Sequence, residues 1–277
     1  MSTDQRANEE YTKMWDDYAS KKAQGYSVYK FQPTHRIGLT NYLRERELIN
    51  ILELKPEDEV LDTGCASGRQ VLEMSHLVHK CHGTDISAAF VNTANANAAR
   101  TKIDNVAFSV ASVEQLPFAD GSFNKIVCAE VLEHVADKNI ALQELLRVLS
   151  PNGRLAITVP NMNADATWWG RLSRMLGLRR FEPLKHFSAS EIAKHGDAHV
   201  REFTAKNLTN WLHSYNLTVV RIESVSFIDG PWCDLLLKLP LHFSCCGSVI
   251  IWIEKLLTQT KLFWGRHLIV AVEKNNL

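Results

Sequence analysis

The chain has 277 residues, enough for one complete hydrophobic core, and its 31 lysine and arginine residues balance 31 aspartate and glutamate residues. Proteins that bind tRNA, rRNA or DNA usually carry a basic excess, so the neutral balance argues against a nucleic-acid partner. The six cysteines form no C-x-x-C pair and the opening MSTDQRANEE contains no apolar signal region, which predicts a reducing, cytoplasmic location.

The first predicted element is an amphipathic helix over residues 4–22, in which Tyr11, Trp15 and Tyr18 share one face. Such an aromatic stripe fits a helix packed on the core, and it also fits a lid over a binding pocket. We assign residues 1–36 as an amino-terminal helical lid.

A small-residue loop follows the first predicted strand. An apolar run ends at Asp62, and GCASG then leads into the helix-like segment QVLEMSHLV. Strand, glycine-rich turn and helix form the first unit of a doubly wound α/β sheet, whose small residues let the backbone approach a ligand closely. Ala66 stands between Gly64 and Gly68, and Arg69 occupies the third glycine position of a dinucleotide fingerprint. This spacing suits the turn around a pyrophosphate poorly. It favours a loop that surrounds a smaller group without phosphate, as part of a nucleotide-like cofactor.

Asp85 ends the second predicted strand, 21 residues after Gly64. A carboxylate at this strand tip can accept hydrogen bonds from both hydroxyls of a ribose. The alternative is that Asp85 caps the helix that begins near Ser87. We predict ribose binding, because the loop and the acid arrive at matched spacing.

The remaining pattern alternates between strands and helices. Strands are predicted at 58–62, 80–84, 105–110, 123–129, 153–159, 217–226 and 267–273. Helices are predicted at 37–53, 68–78, 87–100, 130–135, 137–149 and 204–215. This alternation implies an α/β fold with a doubly wound, seven-stranded, mostly parallel sheet.

Four blocks in this order carry a resemblance to a known family. They read VLDTGCASG at 60–68, GTDIS at 83–87, ASVEQLPFADGSFNKIVCAEVLEHVAD at 111–137 and LLRVLSPNGRLAITVPN at 145–161. The chain resembles class I S-adenosylmethionine (SAM) dependent methyltransferases, in particular the small-molecule and lipid methyltransferases that include ubiquinone-biosynthesis enzymes. The resemblance implies a Rossmann-like methyltransferase domain over 37–277, with cap insertions at 162–200 and 228–265.

The resemblance also implies a set of SAM-binding residues. Its members would hold the methionine moiety, the ribose and the adenine: Asp62, Gly64, Ala66, Gly68, Asp85, Ile86, Ser112, Val113 and Ala129. Two of them depart from the family pattern, since Ala66 replaces a more usual glycine and Ser112 a more usual aspartate.

Candidate catalytic residues lie on the acceptor side. Glu130, Glu133 and His134 would share one face of the predicted helix 130–135. The pattern resembles the divalent-cation set of some ubiquinone-pathway O-methyltransferases, but it is also common in the family without metal, and we predict no metal. Glu130 and His134 are candidate catalytic groups. His199 is the third, because the resemblance implies a histidine shortly before the pair Phe203 and Thr204; the alternative is a histidine of a surface loop.

The insertions contain apolar segments, rich in tryptophan and arginine over 167–185 and interrupted by polar residues over 232–257. They fit caps over a pocket or shallow membrane contacts. The predicted function is methyl transfer from SAM to a small-molecule or lipid-like acceptor. A non-catalytic SAM-fold protein that binds a membrane or a partner is the alternative, and Arg69 argues against a nicotinamide-dependent oxidoreductase.

Overall fold

The computed structural model describes residues 12–20, 36–164, 171–172, 175–176, 203–227, 252–253, 256–258 and 265–274, with backbone alone for 36–40. Residues 12–20 are helical and are called α1. The other helices are α2 (Arg36–Leu52), α3 (Arg69–Met74), α4 (Ala88–Thr101), α5 (Lys138–Val148) and α6 (Ala205–His213). The strands are β1 (Glu59–Thr63), β2 (Lys80–Asp85), β3 (Val106–Val110), β4 (Phe123–Ala129), β5 (Leu149–Pro160), β6 (Leu217–Val225) and β7 (His267–Lys274).

The strands described form one seven-stranded sheet in the order β3-β2-β1-β4-β5-β7-β6. The pairs among β1 to β5 are parallel, and β7 is antiparallel to both β5 and β6. The predicted fold class is therefore confirmed. Strand order reverses between β1 and β4, and ligands of such sheets bind in the crevice beyond the carboxyl ends of the strands at that point.

Successive apolar side chains of the central strands contribute to two hydrophobic layers, one on each face of the sheet. Val60 of β1 packs with Leu48 and Leu52 of α2, whereas the next residue, Leu61, packs with Leu142 of α5. Successive side chains of a strand point to opposite faces, so a fully apolar strand needs helices on both sides. Because helices cover both faces of the sheet, polar residues can cluster at the ends of the strands.

The predicted helix over 130–135 is wrong, because this segment is a turn. Glu130 has a left-handed φ of 56°, and its N–H donates to the carbonyl of Thr158 at 3.0 Å. A residue with this φ cannot be part of a right-handed helix, and the residues after it, 131–137, are not helical either. The next helix begins at Lys138, after the N-cap Asp137, whose side chain accepts from the N–H of Asn139.

Parts of the domain division lie outside the described residues. Within the predicted helix 4–22, residues 12–20 are helical as expected. The lid assignment of 1–36 and the two insertions stay predictions. Across the described ranges, no helix combines the length and the apolar character that a membrane span requires.

Candidate active site

A cavity of about 300 Å³ opens beyond the carboxyl ends of β1, β2 and β4. Its walls come from α1, α2, the loop after β1 and the segments after β2, β3 and β4. The lining includes eight of the nine predicted cofactor residues, namely Asp62, Gly64, Ala66, Asp85, Ile86, Ser112, Val113 and Ala129. Residues that are far apart in sequence therefore meet around one space at the switch point of the sheet.

The loop after β1 owes its shape to left-handed backbone at three positions. Gly64, Ala66 and Gly68 have φ values of 70°, 47° and 77°. A Cβ on Gly64 would lie 2.4 Å from Cγ2 of Val131, so no side chain fits between the loop and the opposite wall. Ala66 is not glycine, and its left-handed backbone costs about 1–2 kcal/mol.

Gly68 is buried beside the cavity and is not part of its lining. It is the N-cap of α3, and a Cβ there would lie 2.7 Å from the ring of Phe108. Position 68 therefore requires glycine because of the packing against Phe108 and the left-handed backbone conformation. The predicted contact of Gly68 with cofactor stays a prediction.

Asp85 accepts a main-chain hydrogen bond with each carboxylate oxygen, one from the loop after β1 and one from the start of α4. Oδ2 accepts from the N–H of Ala66 and Oδ1 from the N–H of Ser87, each at 2.9 Å. Burial raises the pKa of Asp85 to about 6, against the opposing effect of these two bonds. Each oxygen retains capacity for one more hydrogen bond, because a carboxylate oxygen can accept two, and Asp85 lines the cavity. Asp85 also supports the start of α4, since Ser87 is the N-cap of that helix.

Asp62 is buried at the base of the loop. Desolvation, with a smaller contribution from the neighbouring Asp85, raises the pKa of Asp62 to about 8. Two carboxyl groups that share one pocket resist simultaneous ionisation. A positively charged ligand, or one that donates hydrogen bonds, would favour their ionised forms.

The segment after β3 forms another part of the wall. Ser112 Oγ accepts from the N–H of Glu114 at 3.2 Å, and Val113 is buried. Glu114 also lines the cavity, and its Oε1 accepts from the N–H of Asp137 at 2.8 Å. Glu114 is not among the residues predicted from the sequence, although it directly follows the predicted pair Ser112 and Val113.

Glu130 lies between two basic side chains. Its Oε2 is 3.4 Å from Nη1 of Arg44 and 3.4 Å from Nε2 of His267. Nδ1 of the same histidine is 3.3 Å from Oγ of Ser226. Arg44 of α2 and His267 of β7 therefore hold this carboxylate at the cavity wall. Arg44 and His267 were not found from the sequence, because neither belongs to a motif and both are remote from Glu130 in the chain.

His134 lines the cavity, and its ring packs edge-on against Trp15 of α1, with centroids 5.2 Å apart. Glu133, by contrast, is buried and is absent from the lining. The expected convergence of both carboxylates with the histidine on one helix face is wrong, since no helix forms there. In the described part of the chain, no group of three or more histidine, cysteine, aspartate or glutamate side chains could hold a metal ion.

Helix α1 supplies one wall of the cavity through Trp15 and Tyr18. The two rings contact each other edge-on at 5.6 Å, and Tyr18 also approaches Phe90 of α4 at 6.3 Å. Asp16 binds the start of α4, where its Oδ1 accepts from Ser87 Oγ at 2.5 Å and from the N–H of Ala89 at 3.2 Å.

Helix α2 and the start of α3 complete the site with polar groups. Arg69 donates to the carboxylate of Glu45, so the residue that replaces the third dinucleotide glycine ties α3 to α2. Gln70 lines the cavity and is largely buried, and its Nε2 has no hydrogen-bond partner among the described residues. This amide is a donor available to a bound molecule. His199, the third catalytic candidate, lies outside the described residues.

The chain is similar in sequence to known methyltransferases. A family model described as a methyltransferase domain matches residues 54–213. An uncharacterized methyltransferase, YcgJ of Bacillus subtilis, is 34% identical over 110 residues, which are 40% of this chain and 44% of that protein. A demethylmenaquinone methyltransferase of Mycolicibacterium vanbaalenii is 29% identical over 187 residues, 66% of this chain and 74% of that protein.

Solved structures share the fold at low sequence identity. The geranyl diphosphate C-methyltransferase of Streptomyces coelicolor, solved with Mg²⁺, geranyl diphosphate and S-adenosyl-L-homocysteine, superposes with a TM-score of 0.55 at 17% identity, covering 84% of this chain and 77% of that one. The chain spans less than half the length of the first curated relatives that it matches, at 44%, 44% and 42%.

Proposed function

The chain belongs to the methyltransferase domain family, and from this premise we propose that it transfers a methyl group from S-adenosylmethionine to a small-molecule or lipid-like acceptor, releasing S-adenosylhomocysteine. The observation that carries the proposal is the cavity in which the left-handed loop at Gly64 faces the carboxylate of Asp85. Both features suit an adenosyl ligand without a phosphate.

The residues present fit this cofactor. Asp85 has an acceptor site on each oxygen beyond its two main-chain bonds, and the hydroxyls of a ribose are donors. Asp62 and the exposed backbone of Gly64 would hold the methionine moiety. Ile86 and Val113 would cover the adenine, with Ser112 at its polar edge. Gln70 adds a buried amide that a ligand oxygen can accept from.

When bound, the cofactor would supply an electrophilic methyl group on a sulfonium. The work of the protein is then to hold the acceptor in line with that group and to exclude water, and orientation of this kind contributes about 7–11 kcal/mol in favourable cases. The aromatic wall of Trp15 and Tyr18 serves both tasks, because it closes one side of the cavity with apolar surface.

Glu130 is the leading candidate for the general base. It lines the cavity directly after β4, and its carboxylate is held 3.4 Å from Nη1 of Arg44. A hydroxyl acceptor would lose its proton to this carboxylate as its oxygen takes the methyl group. His134 lines the same wall and is the second candidate, and His199 is a third that rests on the sequence pattern alone.

The acceptor is proposed as a small molecule with an apolar body. Among the relatives, one is named a demethylmenaquinone methyltransferase and another a 27-O-demethylrifamycin SV methyltransferase. An apolar acceptor also agrees with the aromatic wall of the cavity. No nucleic-acid acceptor is proposed, since the chain has no net charge.

We further propose a peripheral membrane contact through 167–185 and 232–257. Met175 and Trp252 are among the described residues of these segments, and 77% and 64% of their surfaces are exposed. Flotation with vesicles of neutral and anionic phospholipid tests this, and wild-type protein that stays with the soluble fraction in both cases refutes it.

The experiment for the main proposal has two stages. Isothermal titration with SAM and S-adenosylhomocysteine measures cofactor binding, and homocysteine release coupled to a panel of hydroquinones, phenols, lipids and sugars measures transfer. Binding in the micromolar range with turnover of an acceptor supports the proposal. Absence of cofactor binding refutes it, and binding without turnover of any acceptor favours the non-catalytic alternative.

Within the same assays, Glu130→Gln should slow transfer about 10²- to 10⁴-fold, the usual contribution of a general base. Binding of S-adenosylhomocysteine should change little, because the substitution keeps the shape of the side chain. A variant that retains more than half of the wild-type rate would exclude Glu130 as the base.

A further inference from the structure

Asp16 connects the leading helix to the cofactor-binding acid through a continuous set of hydrogen bonds. Its Oδ1 accepts from the hydroxyl of Ser87 at 2.5 Å, and the main-chain N–H of Ser87 donates to Oδ1 of Asp85 at 2.9 Å. The second oxygen of Asp85 is held by Ala66 of the glycine loop. Helix α1 therefore meets the start of α4 at buried Ser87, and Asp85 joins Ser87 to the loop after β1.

The environment of Ser87 makes this arrangement sensitive to Asp16. Ser87 is fully buried, and its Oγ already accepts from the N–H of Phe90 as the N-cap of α4. Its hydroxyl proton therefore needs another acceptor, which Asp16 provides. Loss of that acceptor would leave a buried hydroxyl donor without its partner, which costs free energy unless the serine moves.

The same helix forms part of the cavity wall. Trp15 precedes Asp16 and packs on His134, and Tyr18 approaches Phe90. The docking of α1 is thus fixed at its centre by a carboxylate and on either side by aromatic rings. An α1 that leaves this position removes both the wall and the acceptor for Ser87 together.

We propose that Asp16 is a positioning residue for the cofactor, which acts through Ser87 on the orientation of Asp85 and so couples cofactor binding to the docking of α1. The inference rests on the proposed function, because it takes Asp85 as the ribose ligand. Coupling is reciprocal: a docked α1 raises cofactor affinity, and bound cofactor favours the docked helix.

The chain contains a matched control for the test. Asp17 is the next residue of α1 and is exposed to solvent, whereas Asp16 is half-buried. Asp16→Ala should weaken binding of S-adenosylhomocysteine about fivefold or more, the lower end of usual coupling between sites. Asp17→Ala removes the same charge from the same helix and should leave the affinity unchanged. Equal effects of the two substitutions would refute a specific role of Asp16.

A double-mutant cycle tests the path through the serine. If Asp16 acts through Ser87, the variant with both Asp16→Ala and Ser87→Ala should bind S-adenosylhomocysteine no more than about twofold worse than the weaker single variant. Independent actions would multiply the two losses, and that result overturns the proposal. Asp16→Asn keeps a neutral acceptor and should restore part of the affinity, which also provides a soluble variant if Asp16→Ala does not fold.

A ligand comparison separates positioning from simple cover. Wild type should prefer S-adenosylhomocysteine over its 2′-deoxyribose analogue, and Asp16→Ala should reduce this preference because Asp85 is no longer well placed. If the variant loses affinity for both ligands by the same factor, α1 acts as a cover alone and the inference fails. Wild type that binds both ligands equally refutes the ribose role of Asp85, whereas wild type that binds neither refutes the proposed function itself.

Discussion

Replacement of Asp85 by asparagine tests the centre of the site with little change in shape. The carboxylate accepts one main-chain hydrogen bond on each oxygen, from Ala66 and from Ser87. Asparagine retains one acceptor oxygen, and its amide group places a donor against one of these N–H groups. The substitution therefore removes the charge and one acceptor from the position proposed for the ribose.

The magnitude follows from the bonds that are lost. A hydrogen bond to a charged group contributes about 1.5–3 kcal/mol net. Loss of one such bond to the ribose weakens binding roughly 10- to 150-fold. The variant should lose some stability, because its amide donor faces a main-chain N–H. Asparagine avoids the desolvation cost of the buried carboxylate, which offsets part of this loss.

The pH dependence supplies an independent readout. Burial raises the pKa of Asp85 to about 6, and the ionised form is the better acceptor for two hydroxyls. Wild-type affinity for S-adenosylhomocysteine should therefore fall as pH falls below about 6, approaching tenfold per pH unit. Asp85→Asn should lose this dependence. Any slope that remains in the variant between pH 6 and 8 belongs to Asp62, whose pKa is raised to about 8.

Isothermal titration of both proteins between pH 5 and 8 measures these quantities, with thermal melting of the free proteins as the control for folding. A folded Asp85→Asn variant within twofold of wild-type affinity at pH 7.5 would refute the ribose assignment. So would a variant that keeps the full loss of affinity below pH 6.

Three further predictions concern the loop, the buried acids and metal. Gly64→Ala should lower the melting temperature and weaken S-adenosylhomocysteine binding at least tenfold, because its Cβ would lie 2.4 Å from Val131. Gly121→Ala is the control: its φ of 67° is similar and its Cβ has no contact closer than 3.7 Å, so it should show the backbone cost alone. Equal effects of the two substitutions on binding would argue against the steric reason. The free protein should lose stability as pH rises from 5 to 8. Asp62 and Asp85 have folded-state pKa values of about 8 and about 6, above the usual 3.8, so the native state holds more protons than the unfolded state in this pH range. A urea midpoint that stays constant or rises from pH 5 to 8 would contradict the raised pKa values. Dialysis against EDTA should leave cofactor binding and methyl transfer unchanged, and activity that is lost and then restored by Mg²⁺ would revive the metal hypothesis.

Most of the residues predicted to bind cofactor line one cavity, and the sequence could predict this grouping because it is encoded locally. Strand tips carry Asp62 and Asp85, and glycines mark the backbone that must turn sharply between them. Parallel strands place their carboxyl ends at one edge, so the order of elements already predicts which residues converge. Most of the strands, such as β7 with HLIVAVEK, were predicted from an apolar run of strand length, whereas β2 reads KCHGTD.

The prediction from local sequence was wrong where a hydrogen bond to another strand accompanies a left-handed backbone conformation. The run after β4 has the composition of a helix, yet the N–H of Glu130 pairs with Thr158 of the neighbouring strand and holds a left-handed conformation. A bond to a residue of another strand has no signature within the segment itself. The predicted helical face that joined Glu130, Glu133 and His134 was lost with the helix.

The sequence by itself determined the order of the sheet elements, the glycine loop and the acids at the strand tips, because these depend on periodicity and on residues close in the chain. Only the tertiary structure decided that Arg44 and His267 meet at Glu130, and that Asp16 reaches Ser87 beside Asp85. Such contacts join segments that are brought together by packing of helices on the sheet. Their energies depend on distance in space, and the sequence records only distance along the chain.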